Sequence, residues 1–190
     1  HPLAPLTNAW DFMGLAKAEP ATIEQAHAVI GRQLRQLTLL VNDLMDINRV
    51  SHGKLNMTFS VLDLHKVLRE AFEPVQPVLQ EAGHTVEFDF SPQPIEVRGD
   101  VTRLVQVFGN LLSNAGKYSP PGSHIIVRTR INGDKVRVEV QDNGVGLAPE
   151  DLERSFEMFA QVEFLTGERQ GGLGIGLSLV KKLVAMHQGS

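Results

Sequence analysis

A chain of 190 residues with 42% hydrophobic and 21% charged residues has the makeup of one globular domain plus an appendage. Its formal net charge of −4 comes without a basic run, which argues against nucleic-acid binding, and the absence of cysteine excludes disulfides and thiolate metal sites. No apolar run approaches the ~20 residues that cross a bilayer and no signal-peptide pattern opens the chain, so it reads as cytoplasmic, any membrane contact coming through segments outside it.

Leu3, Leu6, Trp10 and Met13 recur at 3–4–3 spacing, an amphipathic helix that Glu19-Pro20 breaks. A second helix is predicted from about Thr22, a candidate N-cap, to Arg49. Its seam of Ile23, His27, Ile30, Leu34, Leu37, Val41, Leu44 and Asn48 alternates four and three, with His27 read as a core histidine. Two antiparallel helices with one apolar stripe each leave a face open. Doubling the hairpin into a four-helix bundle closes it, so a homodimer is predicted; the alternative is packing of the hairpin on its own C-terminal domain. Ser51-His-Gly53 ends the helix, which divides the chain into a hairpin, residues 1–52, and a second domain, residues 53–190.

Lys54 to Phe59 reads as a short strand, and Asp63 as the cap of a helix from Leu64 to about Ala82, with Pro74 and Pro77 inside it and Gly83 behind it. His84 to Phe90 and Ile95 to Arg98 read as two further strands. Asp100 caps a helix whose Leu104, Val107, Phe108, Leu111 and Leu112 share one face. Ile125 to Ile131 and Lys135 to Gln141 form a hairpin around Asn132-Gly133-Asp134. Pro149-Glu-Asp151 opens a short helix, and the polar stretch Gln161 to Gln170 has no period. A last helix from near Gly174 carries Leu177, Val180, Leu183 and Val184 inward, with His187 at its end. The fold class is α+β: helices on one face of a mixed sheet, attached to a helical hairpin. Gly31 and Gly116 stand at helical positions, each at a cost of about 1 kcal/mol against alanine.

Three stretches carry candidate chemistry. Asn110, Asn114 and Lys117 fall at i, i+4 and i+7 on one helical stripe, where two amide oxygens suit a hard cation and the ammonium suits phosphate; a polar solvent face is the plainer alternative. Asp142-Asn-Gly-Val-Gly146 follows a strand, yet no second alternating strand follows it, which weakens a hairpin-turn reading. Gly172-Leu-Gly-Ile-Gly176 enters the last helix. It lacks both the dinucleotide-binding spacing and the lysine-serine of a P-loop, but glycines at a helix N-terminus leave free N–H groups facing an anion.

In this order these stretches resemble the N box and the two glycine boxes of the GHKL ATPase superfamily, specifically the catalytic core of sensor histidine kinases in two-component signalling. The resemblance implies a hairpin followed by an α/β-sandwich ATP-binding domain of the Bergerat type, with ATP and Mg²⁺ as ligands. Asn114 would ligate the metal, Asn110 would help position it, Lys117 would contact phosphate and Tyr118 would pack on the nucleotide. Asp142 would read adenine through its exocyclic amine, with Gly144 and Gly146 admitting base and ribose. Gly172, Leu173, Gly174, Ile175, Gly176 and Leu177 would line the phosphates. Phe156-Glu-Met-Phe159 resembles the F box; core burial is the expected energetic role of its aromatics. Gln161 to Gln170 would be the ATP lid, and Arg154 or Arg169 would stabilise the transferring phosphate, an exposed ion pair being the alternative for Arg154.

Gyrase-like and chaperone relatives place a glutamate where Asn110 stands. Asparagine cannot take a proton from water near neutral pH, which favours phosphoryl transfer to a side chain over hydrolysis. Pro2-Leu-Ala-Pro-Leu6 matches the tail of the H box, whose acceptor histidine would lie five residues before Pro2; His1 is in the wrong helical phase. Family members continue past Gly189-Ser190 with strands that complete the sheet, and without them an edge is exposed. The implied function is transfer of the γ-phosphoryl of Mg-ATP to a histidine and onward to an aspartate of a response-regulator receiver domain. A nucleotide-binding module without phosphotransfer and an ATP-hydrolysing clamp are the alternatives.

Overall fold

The computed structural model describes residues 20–160 and 174–190. The first predicted helix, the lid segment, Arg169, Gly172 and Leu173 lie outside them. The chain divides into two compact units at Lys54/Leu55.

In the first unit, α1 spans Pro20–Ser51. It starts two residues before Thr22, because proline at a first helical position has its φ preset and no N–H to lose. It closes at Gly53, whose φ of +65° suits the left-handed turn after a helix. Of the predicted seam, Ile23, Leu34, Val41 and Leu44 are 38–54% exposed, and His27 and Asn48 are exposed as well. His27 is therefore not a core histidine within a single chain.

In the second unit, β1 (Ser60–Asp63) pairs antiparallel with β3 (Glu96–Gly99), Ser60 opposite Gly99. The strand predicted at Lys54–Phe59 is absent, since the Thr58 N–H donates to the Asp100 carboxylate at 2.7 Å rather than to a ladder. Asp63 caps α2 (Leu64–Phe72) by accepting the His65 N–H at 2.9 Å. The single helix expected up to Ala82 is two. Pro74 offers no N–H, the chain turns through Glu73–Val75, and α3 (Gln76–Glu81) restarts with Pro77 in its first turn. A three-stranded mixed sheet follows in the order β2 (Thr85–Asp89), β4 (His124–Asn132), β5 (Lys135–Gln141), with β2 parallel and β5 antiparallel to β4. Gly133, at φ +65°, makes the predicted hairpin turn.

Three helices form the other layer: α2, α4 (Val101–Lys117) and α6 (Gly176–Met186), with α4 in the middle touching both neighbours. α5 (Pro149–Arg154) is short and has no buried residue. Alternation along β4 buries Ile125, Val127 and Thr129, while α2 buries Leu64, Val67, Leu68 and Ala71. α4 contributes Leu104, Val107, Phe108, Leu112 and Ala115, with Leu111 only half-buried. On α6, Leu179 is fully buried beside Val180 and Leu183, whereas Leu177 and Val184, expected inward, are half-buried. Each fully buried leucine stabilises the fold by about 1.5–3 kcal/mol. Gly116 has a structural reason: a Cβ there would collide with the buried Leu79 of α3, so the glycine lets α3 rest on α4.

On the sheet's other face, Asp89 receives Arg130 and, at 3.2 Å, Arg128. The Arg130 guanidinium above all holds this carboxyl below its ordinary value of 3.8. A depressed carboxyl pKa contributes stability that is present above the unfolded value and lost as pH falls through the folded one. Asp89→Asn should therefore melt slightly below the parent at pH 7, and the gap should close on acidification through and below about pH 3.8, read by thermal denaturation across pH.

Candidate nucleotide-binding site

α4 presents its polar stripe where α6 begins. Asp100 caps α4 by accepting the Arg103 N–H at 3.1 Å, and the 17 residues that follow carry Asn110, Asn114 and Lys117 to half-buried positions near its C-terminal end. Lys117 Nζ donates to Tyr118 Oη at 2.8 Å and sits 4.5 Å from that ring's centroid. At the start of α6, a Cβ on Gly176 would stand 3.4 Å from Asn110 Oδ1, so the glycine box and the asparagine stripe meet in van der Waals contact. Ile175, at the N-cap of α6, makes no side-chain cap bond, and among the described residues no side chain takes that role, which leaves its first-turn N–H groups for another acceptor.

The loop after β5 closes onto the end of α4. Val145 N–H donates to Tyr118 O at 3.3 Å, and the exposed Asp142 accepts the Gly144 N–H through Oδ1 at 2.7 Å. This is an Asx-type bond within the loop, and α5 follows it rather than another strand. At Gly144 a Cβ would lie 2.6 Å from both Tyr118 O and Asp142 Oδ1. Gly146, at φ +67°, faces open space. Gly174, at φ +65°, accepts the Phe159 N–H at 3.2 Å, and a Cβ there would collide with the backbone of Ala160. Ile175 is buried at 2%, and its carbonyl accepts from Ser178 Oγ at 2.8 Å.

Asn110, Asn114, Lys117, Tyr118, Asp142, Gly144, Gly146, Gly174, Ile175 and Gly176 thus lie on three segments, with α4 and its end meeting each of the other two. Arg154 does not join them. It pairs with Asp151 at 3.1 Å, its side chain 64% exposed, as an ordinary exposed helix pair. Phe156 and Phe159 are 36% and 57% exposed, not core residues as expected. Only Ser155 of this turn is buried, its hydroxyl tied to Leu152 O at 2.7 Å, and Lys181 lies over the Phe156 ring at 5.7 Å.

Sequence reasoning missed Ser119. Its Oγ is buried with no hydrogen-bond partner, the one such side-chain atom among the described residues. The available signal was a hydroxyl directly after Tyr118, where the asparagine helix meets the Asp142 loop. A buried orphan hydroxyl costs about 1–3 kcal/mol and is expected where a ligand supplies the missing partner. The orphan hydroxyl, the uncapped helix N-terminus and glycines packed against backbone together fit a polar, phosphate-bearing ligand. Ser119→Ala should weaken ATP binding roughly five- to tenfold by titration while leaving the melting temperature of the free protein equal or higher, because no internal bond is lost.

Residues 99–190 match the family described as histidine kinase-, DNA gyrase B-, and HSP90-like ATPase. The Non-motile and phage-resistance protein of Caulobacter vibrioides is 37% identical over 159 residues, covering 82% of this chain and 19% of that protein. The Sensor-like histidine kinase SenX3 of Mycobacterium tuberculosis is 34% identical over 151 residues, covering 80% of this chain and 37% of that protein. The chain therefore spans well under half the length of these relatives. Among solved structures, full-length ShkA in complex with AMPPNP superposes with a TM-score of 0.68 at 27% identity, covering 97% of this chain and 38% of that one. With its helix preceding an α/β ATPase domain and asparagine and glycine boxes in contact, the chain carries a histidine kinase-, DNA gyrase B- and HSP90-like ATPase domain over residues 99–190 and is similar over most of its length to the catalytic core of sensor histidine kinases.

Proposed function

We propose that this chain is the dimerisation and ATP-binding part of a protein-histidine kinase core. The γ-phosphoryl of ATP passes to a histidine preceding Pro2, and from there to an aspartate of a response-regulator receiver domain. The observation that carries the reading is the contact of Gly176 with Asn110, supported by the Tyr118–Val145 bond that brings the Asp142 loop to the same helix end.

The residues divide the work by chemistry. Asp142 holds one carboxylate oxygen on Gly144 N–H and offers the other to the amine of adenine; guanine carries an oxygen there, so ATP is preferred. Gly174 and Gly176 let the phosphates reach the backbone N–H groups at the head of α6. Lys117 exchanges its bond with the Tyr118 hydroxyl for a phosphate oxygen. Asn114, helped by Asn110, would supply amide oxygen to Mg²⁺, which would neutralise phosphate charge and needs few protein ligands. With an amide rather than a carboxylate at position 110, the site positions phosphate without activating water.

The exposed seam of α1 supports homodimerisation through a four-helix bundle, since Ile23, Leu34, Val41 and Leu44 repeat at heptad spacing without cover in a single chain. The deciding experiment incubates γ-labelled ATP with this chain and with a chain extended upstream through the H box. Acid-labile, base-stable label on the extended chain alone is the expected result. Nucleotide binding with label on neither would favour a non-catalytic module, and release of inorganic phosphate without protein label would favour a hydrolysing clamp.

A further inference from the structure

Where α6 ends, a histidine outside the nucleotide boxes ties three parts of the second unit together. His187 Nδ1 lies 2.8 Å from Leu183 O, which only accepts, so this nitrogen carries the proton. Nε2 is then a bare acceptor, and it takes the Asp100 N–H at 3.0 Å. Both bonds call for the same neutral tautomer. The Asp100 carboxylate, on a residue only 6% exposed, is itself divided: Oδ1 caps α4 through the Arg103 N–H, and Oδ2 accepts the Thr58 N–H at 2.7 Å. Phe59 sets its ring edge on the imidazole, centroids 5.4 Å apart and planes at 63°. Gly99 makes room, for a Cβ there would stand 3.2 Å from His187 Cδ2 and 2.7 Å from Leu104 Cδ1. The segment leading into β1 is thereby fastened at the point where α4 begins and α6 ends.

The two helices run antiparallel, the start of α4 beside the end of α6 and Asn110 of α4 beside Gly176 at the start of α6. The 11 residues of α6, at about 1.5 Å rise each, put this clasp roughly 16 Å from the glycine box. A rigid helix held at one end transmits a change of tilt to the other. We propose that His187 and Asp100 form a positioning latch, which sets the angle of α6 on α4 and hence the spacing of Gly176 from Asn110, and which holds that angle only while the Thr58–Phe59 segment is docked on it. Docking of the segment thus raises nucleotide affinity, although neither residue touches nucleotide. The inference rests on the nucleotide reading of the Asn110–Gly176 contact.

The test follows Thr58 amide hydrogen exchange and the affinity for a non-hydrolysable ATP analogue with Mg²⁺, using the full chain and three variants. His187→Leu removes the acceptor and should speed Thr58 exchange and weaken the analogue, each by about fivefold, as expected for loss of one hydrogen bond. His187→Gln offers an amide oxygen near the Nε2 position and should restore both. Phe59→Ala, on a half-exposed residue outside both helices, should weaken binding in the same direction with little change in melting temperature. Faster Thr58 exchange with parental affinity in His187→Leu and Phe59→Ala would reduce the cluster to a structural contact and overturn the latch. Unchanged Thr58 exchange in His187→Leu would overturn it as well. Failure of the parent chain itself to bind the analogue would instead overturn the nucleotide reading, and the inference with it.

Discussion

Replacing Gly174 with alanine should lower ATP affinity at least about 100-fold while α6 stays folded. Two costs add at this position. The backbone sits at φ +65°, where a Cβ costs about 1–2 kcal/mol, and that Cβ would also run into the carbonyl and nitrogen of Ala160, which are backbone atoms and cannot swing aside. Relief requires Gly174 to leave the left-handed region, which re-aims the head of α6 away from Asn110. The helix body is anchored by Leu179 and Leu183, both fully buried, so circular dichroism should change little. Gly146→Ala is the matched control. Its φ of +67° is nearly the same, yet nothing lies within 4 Å of the added Cβ. It should cost only the conformational part, about fivefold to thirtyfold in affinity by titration calorimetry. Equal losses in the two variants would show that the contact with Ala160 does not matter to the site.

Asp142→Asn should abolish the preference for ATP over GTP. The substitution keeps an oxygen to accept the Gly144 N–H, so the loop between β5 and α5 is expected to hold its shape. What changes is the second position of the group, where an NH₂ now faces the amine of adenine, donor against donor. A buried polar group left without its partner costs about 1–3 kcal/mol, and a mismatched pair lies at or above the upper end, so ATP affinity should fall roughly 100-fold. GTP, which offers an oxygen at the same position, should bind as well as before or better. Competition titrations with the two nucleotides read both numbers. An unchanged ratio of ATP to GTP affinity would remove Asp142 from the base-reading role.

Much of the architecture was legible because its causes are local. Asp63 and Asp100 read as N-caps, and each accepts an N–H two or three residues on. Asn132-Gly133 read as a hairpin turn, and Gly133 has the positive φ that such turns demand. The errors share a cause. The strand expected at Lys54–Phe59 failed because Thr58 found a carboxylate 42 residues away, a competition invisible to alternation alone. Pro74 stood inside one predicted helix and proved a break, because the chain could restart with Pro77 in a first turn that needs no N–H there. Phe156 and Phe159 read as core because aromatics usually are, but they stay 36% and 57% exposed, and Lys181 of α6 covers the Phe156 ring only in part.

By itself the sequence determined what depends on composition and on spacing within one element: the helical stripe of Asn110, Asn114 and Lys117, the heptad seam of α1, the glycines that need positive φ, and through the order of the boxes the family resemblance. Only the tertiary structure decided which distant residues meet. It set Asn110 against Gly176, closed Gly144 onto the Tyr118 carbonyl, left Ser119 Oγ buried without a partner and clasped His187 to Asp100. The reason is physical. A local pattern records which way a side chain faces on its own element, whereas contact between elements depends on how layers pack, and the free energy of that packing is summed over the whole core rather than written at any one position.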